Sequence, residues 1–111
     1  MIESATAAGN LDAILAVDGL DAVLVGPYDL SASMGLTGQF DAPEFAEAIA
    51  RILASTRRHG VACGIHIVTP DTRVLTTRIA EGYRFIAYAI DAVFLATAAV
   101  APSTARSHGR G

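Results

Sequence analysis

The chain has 111 residues, of which 52% are hydrophobic and 17% charged, and its formal net charge is −3. This composition is typical of one folded domain and excludes a disordered chain. No apolar run reaches the roughly 18 residues that a membrane span needs, and the start shows no secretory signal pattern. The arginines are scattered and form no basic stripe for nucleic acid. The sequence therefore predicts a cytoplasmic protein with neither a membrane nor a nucleic acid as partner.

Helical and extended patterns alternate along the first half of the chain. A short helix is predicted at residues 10–19, and a strand rich in β-branched residues follows at 21–26. A longer amphipathic helix is predicted at 41–60, with Asp41 as its N-cap and Pro43 in its first turn. Its last turn is basic, as the helix dipole favours.

The second half repeats this order. Its elements are a strand at 61–68, a helix at 69–82, a strand at 83–90 and a final helix after Asp91. Thr69 is the expected N-cap of the helix at 69–82, with Pro70 at its first position. The apolar residues Val74, Leu75 and Ile79 of that helix are expected to face inward.

Strands that alternate with helices indicate successive βαβ units around a parallel sheet. The predicted strands begin 40 and 22 residues apart, which brackets the roughly 31 residues per unit of an eight-unit barrel. The expected fold class is α/β, as the C-terminal part of a (β/α)8 TIM barrel. It would contain about three βα units and, in the opening MIES, the end of a preceding strand. We expect this partial barrel domain at 1–101 and a disordered tail at 102–111.

The stretch VGPYDLSASMG, residues 25–35, marks where the first predicted strand ends in a small polar loop. Functional groups of parallel α/β folds collect at such strand ends, which makes Asp29 a candidate. That Asp29 or Ser31 merely caps a turn is an equally open interpretation. Glu3 has the analogous position if MIES ends a strand.

Together, MIES and GPYDLS resemble the HpcH/HpaI aldolase family of metal-dependent class II pyruvate aldolases, and the likeness extends over residues 1–101. In that family, the glutamate of an I-E-[ST] strand end and the aspartate of G-P-x-D-L-S bind one divalent metal. The resemblance implies Glu3 and Asp29 as ligands of Mg²⁺, Mn²⁺ or Co²⁺. It also implies a substrate-binding turn formed by Gly26, Pro27, Tyr28 and Asp29.

The chain contains no lysine, so a Schiff base cannot stabilise the enolate that forms when a 4-hydroxy-2-oxo acid is cleaved. A Lewis-acid metal is the alternative, and two carboxylates suit a hard ion. The implied activity is a carbon–carbon lyase that releases pyruvate and an aldehyde from small 2-oxo acids. An oxaloacetate-type lyase or decarboxylase, and a non-catalytic remnant that serves as an interaction module, remain alternatives.

Two departures from the family limit the active site of this chain. Met1 stands where the family usually has a glutamine. The acid-base histidine and the substrate-binding arginine of the family come from strands that precede this segment, so no catalytic residue is assigned here. We therefore expect a truncated product or a fragment with reduced or no activity alone. Unpaired strand edges of a half-barrel predict a homo-oligomer or pairing with a complementary half.

Three further residues are given structural interpretations. Cys63 lies in an apolar run and is expected to be a small buried hydrophobe. His66, near the end of the second predicted strand, is expected to be packed and hydrogen-bonded rather than catalytic. Asp91 is expected to cap the final helix.

Overall fold

The computed structural model describes residues 1–99, so the tail predicted at 102–111 lies outside the described residues. The three predicted strands are confirmed, with ends that agree within two residues, and two short helices are added. The elements are α1 Ala5–Gly9, α2 Leu11–Leu15, β1 Ala22–Val25, α3 Pro27–Ser33, α4 Pro43–His59, β2 Ala62–Ile67, α5 Thr72–Glu81, β3 Phe85–Tyr88 and α6 Asp91–Ala98.

The three strands form a parallel sheet in which β2 lies between β1 and β3. At the carboxyl end of β1, Val25 pairs with Ile65 of β2 on one side and forms a parallel bridge with Ile2 on the other. Ile2 donates its N–H to the Leu24 carbonyl at 2.7 Å and accepts the Gly26 N–H at 3.0 Å. The opening MIES therefore lies beside β1 in the position of a preceding strand, as predicted.

Alternation of side chains gives the sheet two unlike faces. One face packs against helices through five residues that are at most 7% exposed: Val23, Val25, Cys63, Ile65 and Ile67. The opposite side, which we call the open face, carries Leu24, Gly64, His66, Phe85 and Ala87. Phe85 is 45% exposed there. Exposure of a strand phenylalanine is typical of a sheet face that lacks a second layer.

The helix α4 supplies much of the layer that covers the sheet. Phe45, Ala48 and Ile52 recur at helical spacing and are at most 5% exposed, and the helix packs against α2 and β2. It ends at Gly60, whose φ of 69° is left-handed and favours glycine. The amphipathic pattern of the sequence is confirmed because its apolar stripe meets the sheet.

Two predicted N-caps are wrong by one or two residues. The N-cap of α4 is Ala42 rather than Asp41, and no side chain caps this helix. The N-cap of α5 is Asp71 rather than Thr69, and its carboxylate accepts the Arg73 N–H at 2.8 Å. In α5 the short aspartate side chain reaches a first-turn amide, so Pro70 lies before the cap instead of inside the helix.

The predicted inward face of α5 is also corrected. No residue of α5 is buried, and Val74 and Ile79 are 36% and 58% exposed. Leu75 is half-buried, so neighbouring elements cover the apolar stripe of α5 only in part. The last helix, α6, is similar, since its Leu95 is 72% exposed. Between residues 1 and 99, no helix has the length and apolar character that crossing a bilayer requires.

Candidate metal and substrate site

Glu3 lies on the open face at the carboxyl edge of the sheet. Its neighbour Ile2 is 3% exposed and belongs to the core, so the alternation along an extended segment turns Glu3 to the other side. The Glu3 side chain lies against Gly26, because a Cβ added at Gly26 would stand 3.0 Å from Glu3 Cγ and 3.2 Å from its Oε1. Gly26 thus leaves the space that the Glu3 side chain occupies.

The segment that follows Gly26 is a helix, not the loop that the sequence predicts. Gly26 is the N-cap of α3, and Pro27 occupies its first turn, where the fixed φ of proline favours a helix. Leu30 is fully buried and anchors the helix to the core. The predicted substrate-binding turn is therefore the first turn of α3, and Asp29 lies within it with an exposed side chain.

Ser31 is fully buried and joins α3 to the loop that follows it. Its Oγ donates a hydrogen bond to the Tyr28 carbonyl at 2.8 Å and accepts the Gly38 N–H at 3.1 Å. The interpretation of Ser31 as a simple turn cap is therefore too narrow. Tyr28 is 57% exposed and packs edge-on against Phe40, with ring centroids 5.0 Å apart.

Ser33 connects the two segments that carry the predicted metal ligands. Its Oγ donates to the Leu30 carbonyl at 2.8 Å within α3 and accepts the Ala5 N–H at 2.8 Å. Ala5 follows Glu3 by two residues, and Asp29 lies in the same helix as Ser33. This bond therefore ties the Glu3 segment to the Asp29 helix. Sequence reasoning missed Ser33, because a serine in the second turn of a helix carries no signal of a distant partner.

The residues at this edge fit a divalent cation. Glu3 and Asp29 are exposed carboxylates, which are hard oxygen donors, and Gly26 keeps a Cβ out of the space beside Glu3. Over residues 1–99, no group of three or more His, Cys, Asp or Glu residues could hold a metal. An ion held by these two carboxylates would complete its shell with water and substrate oxygens, as Mg²⁺ commonly does.

The three residues with structural interpretations behave largely as expected. Burial raises the pKa of the Cys63 thiol to about 11, so this side chain is a protonated, apolar group of the core. His66 is half-buried, and its Nε2 lies 3.3 Å from the Ala89 carbonyl oxygen. Asp91 is the first residue of α6, not its N-cap, and its carboxylate accepts the Ala92 N–H at 2.7 Å.

The fold and the site define an α/β protein with two carboxylates at the carboxyl edge of a parallel sheet. The sequence profile of the HpcH/HpaI aldolase/citrate lyase family matches residues 1–98. The chain belongs to this family, which confirms the resemblance found in the sequence.

Two curated relatives and one solved structure illustrate the match. The chain is 42% identical over 94 residues to a hydroxypyruvate/pyruvate aldolase of Roseobacter denitrificans, covering 85% of this chain and 36% of that protein. It is 43% identical over 102 residues to a 4-hydroxy-2-oxovalerate aldolase of Novosphingobium aromaticivorans, covering 88% and 37%. The crystal structure of an HpcH/HpaI aldolase/citrate lyase family protein from Burkholderia cenocepacia superposes with a TM-score of 0.82 at 34% identity, covering 99% and 41%. The chain thus spans less than half the length of these proteins.

Proposed function

We propose that this chain forms the metal-binding part of a divalent-metal-dependent aldolase, which cleaves a 4-hydroxy-2-oxo acid to pyruvate and an aldehyde in the cytoplasm. Its sheet would be the C-terminal part of a (β/α)8 barrel. The observation that carries the proposal is the Glu3 side chain against Gly26, directly before the helix whose first turn contains Asp29. Two carboxylates at adjacent strand ends, without a lysine in the chain, favour metal-assisted over Schiff-base chemistry.

Each residue of the site has a physical role in this proposal. Glu3 and Asp29 would hold Mg²⁺, Mn²⁺ or Co²⁺. Bound there, the ion would act as a Lewis acid for negative charge that develops on the substrate when the carbon–carbon bond breaks. Amides in the first turn of a helix have no intrahelical partner, so those of Tyr28 and Asp29 can donate to the substrate carboxylate. Pro27 fixes the start of this turn.

The chain alone is expected to bind the metal better than it turns over substrate. The acid-base histidine and the substrate-binding arginine are expected in the part of the barrel that precedes this segment. Metal binding without pyruvate release, in an assay coupled to lactate dehydrogenase, would favour the non-catalytic interaction module. Pyruvate release from oxaloacetate, but not from 4-hydroxy-2-oxo acids, would favour the decarboxylase alternative.

Calorimetric titration with Mn²⁺ in the presence of oxalate tests the site. The unmodified chain should bind, and Asp29→Asn should weaken the affinity more than about tenfold, because loss of a charged donor affects a two-carboxylate site strongly. Asp21→Asn is the matched control, since Asp21 precedes β1 at the opposite edge of the sheet, about 13 Å from its carboxyl end. Absence of binding by the unmodified chain, or equal affinities for all three proteins, would refute the metal site.

We further propose that the open face associates with a second copy or with a complementary barrel half. The exposed Phe85 side chain on it supports this interpretation, since it is 45% exposed and exposed apolar surface marks interaction sites. Sedimentation velocity should therefore detect a dimer or larger species, and Phe85→Ser should shift the population toward monomer. A monodisperse monomer at all concentrations would contradict the proposal.

A further inference from the structure

The side chain of His66 lies at the same level of the sheet as the carboxylate site. Val25 pairs with Ile65, so the next residues, Gly26 and His66, lie side by side on neighbouring strands. Both belong to the open face. Glu3 lies on the other side of Gly26, against its Cα. Two strand spacings separate Glu3 from His66, about 10 Å between their backbones. Because Gly26 has no side chain, its backbone forms the base of the space between Glu3 and His66, which Met1 Sδ also borders.

The contact of His66 with Ala89 determines which ring nitrogen is available. Nε2 lies 3.3 Å from the Ala89 carbonyl oxygen, and a carbonyl oxygen only accepts hydrogen bonds. Nε2 therefore carries the proton, and in the neutral ring Nδ1 carries the lone pair. Within residues 1–99, no hydrogen-bond partner occupies Nδ1. The imidazole thus presents an unused acceptor on the open face.

The residue that orients the ring is itself held in a strained conformation. Ala89 has a φ of 59°, the one positive value among the non-glycine residues described, and alanine rarely adopts this left-handed region. Its N–H donates to the Ile67 carbonyl at 2.6 Å, and its carbonyl meets His66. A strained backbone conformation is kept only where neighbouring contacts enforce it, and such conformations are frequent at functional sites. Here it fixes the carbonyl that positions the His66 ring.

From these observations we infer that His66 is a specificity-determining residue, whose Nδ1 accepts a hydrogen bond from a hydroxyl group of the bound substrate. The inference rests on the proposed function, because it places the substrate at the Glu3 and Asp29 site. The substrate class is a 2-oxo acid or aldehyde that carries a hydroxyl group, in preference to the analogue with a methyl group in its place. The methyl analogue would leave the Nδ1 acceptor of His66 unpaired, so the site would bind this analogue more weakly.

The first test measures proximity with Mn²⁺ alone as the probe. Paramagnetic Mn²⁺ should broaden the ring proton signals of His66, and diamagnetic Mg²⁺ should not. His59 is the internal control, because it ends α4 at the opposite edge of the sheet and its signals should stay sharp. Equal broadening of both rings, or sharp His66 signals in a sample that calorimetry shows to be saturated with Mn²⁺, would overturn the inference.

The second test compares the affinities of the Mn²⁺-loaded chain for hydroxypyruvate and 2-oxobutyrate, and the ratio of the two affinities is the preference. Hydroxypyruvate has a hydroxyl group where 2-oxobutyrate has a methyl group. His66→Leu should reduce the preference for hydroxypyruvate about three- to tenfold, while its Mn²⁺ affinity stays within about twofold. His66→Asn keeps an acceptor at the δ position and should retain the preference, whereas His66→Gln should lose it. An unchanged preference in His66→Leu would refute the role of His66. Failure of the unmodified chain to bind Mn²⁺ would instead refute the metal site on which it rests.

Discussion

Replacing Gly64 with alanine is expected to lower the free energy of unfolding by about 1–3 kcal/mol. Gly64 pairs with Phe85 on the neighbouring strand, and the Phe85 ring lies across it on the open face. A Cβ at Gly64 would stand 2.7 Å from Phe85 Cε1 and 2.8 Å from the Phe85 carbonyl oxygen. The ring can rotate away, but the carbonyl belongs to the β2–β3 ladder and cannot move without disturbing it.

Urea denaturation followed by circular dichroism measures this cost, and a double-mutant cycle separates its two parts. In a Phe85→Ala background, Gly64→Ala should cost less by at least about 0.5 kcal/mol, because only the carbonyl contact remains. Gly9→Ala is the matched control: no atom lies within 4 Å of its added Cβ, and alanine in a helix stabilises by up to about 1 kcal/mol. Equal stability of Gly64→Ala and the unmodified chain would show that the close approach is wrong.

Replacing Gly26 with valine should abolish most metal binding while leaving the fold intact. The backbone of Gly26, at φ −98° and ψ 92°, is accessible to any residue. Its Cβ, however, would stand 3.0 Å from Glu3 Cγ and 3.3 Å from Met1 Sδ, so Glu3 must leave its position. We expect the affinity for Mn²⁺ with oxalate to fall about 10- to 100-fold, as for other changes that displace a ligand.

The matched control is Ala22→Val, which places the same side chain at the opposite end of β1. It should leave the Mn²⁺ affinity unchanged, and both variants should retain the far-ultraviolet circular dichroism spectrum of the parent chain. Gly26→Ala should lie between the parent and Gly26→Val, because a single methyl group requires a shift of only a few tenths of an ångström. Full Mn²⁺ affinity in Gly26→Val would be incompatible with Glu3 as a ligand in the position described.

The strands could be predicted from the sequence because their residues determine their conformation locally. The runs that contain β1, β2 and β3 are rich in β-branched or aromatic residues, and glycines end the helices before β2 and β3. The alternation of strands and helices along the sequence was enough to place Glu3 and Asp29 at strand ends. Parallel strands end at the same edge of a sheet, so both residues were expected there. The helix α3 could not be predicted in this way. Its seven residues are too few to be helical alone, and buried Leu30 stabilises them through the core.

By itself, the sequence determined the α/β class, the order of the strands along the chain and the family, because these follow from local propensity and from short motifs. The tertiary structure alone decided which side chains meet. It brought Glu3 against Gly26, tied Ala5 to Ser33 across 28 residues of sequence and set His66 beside the strained Ala89. It also left Val74 and Ile79 of α5 exposed. Such contacts depend on sheet register and on the presence of a covering element, which no local pattern of residues encodes.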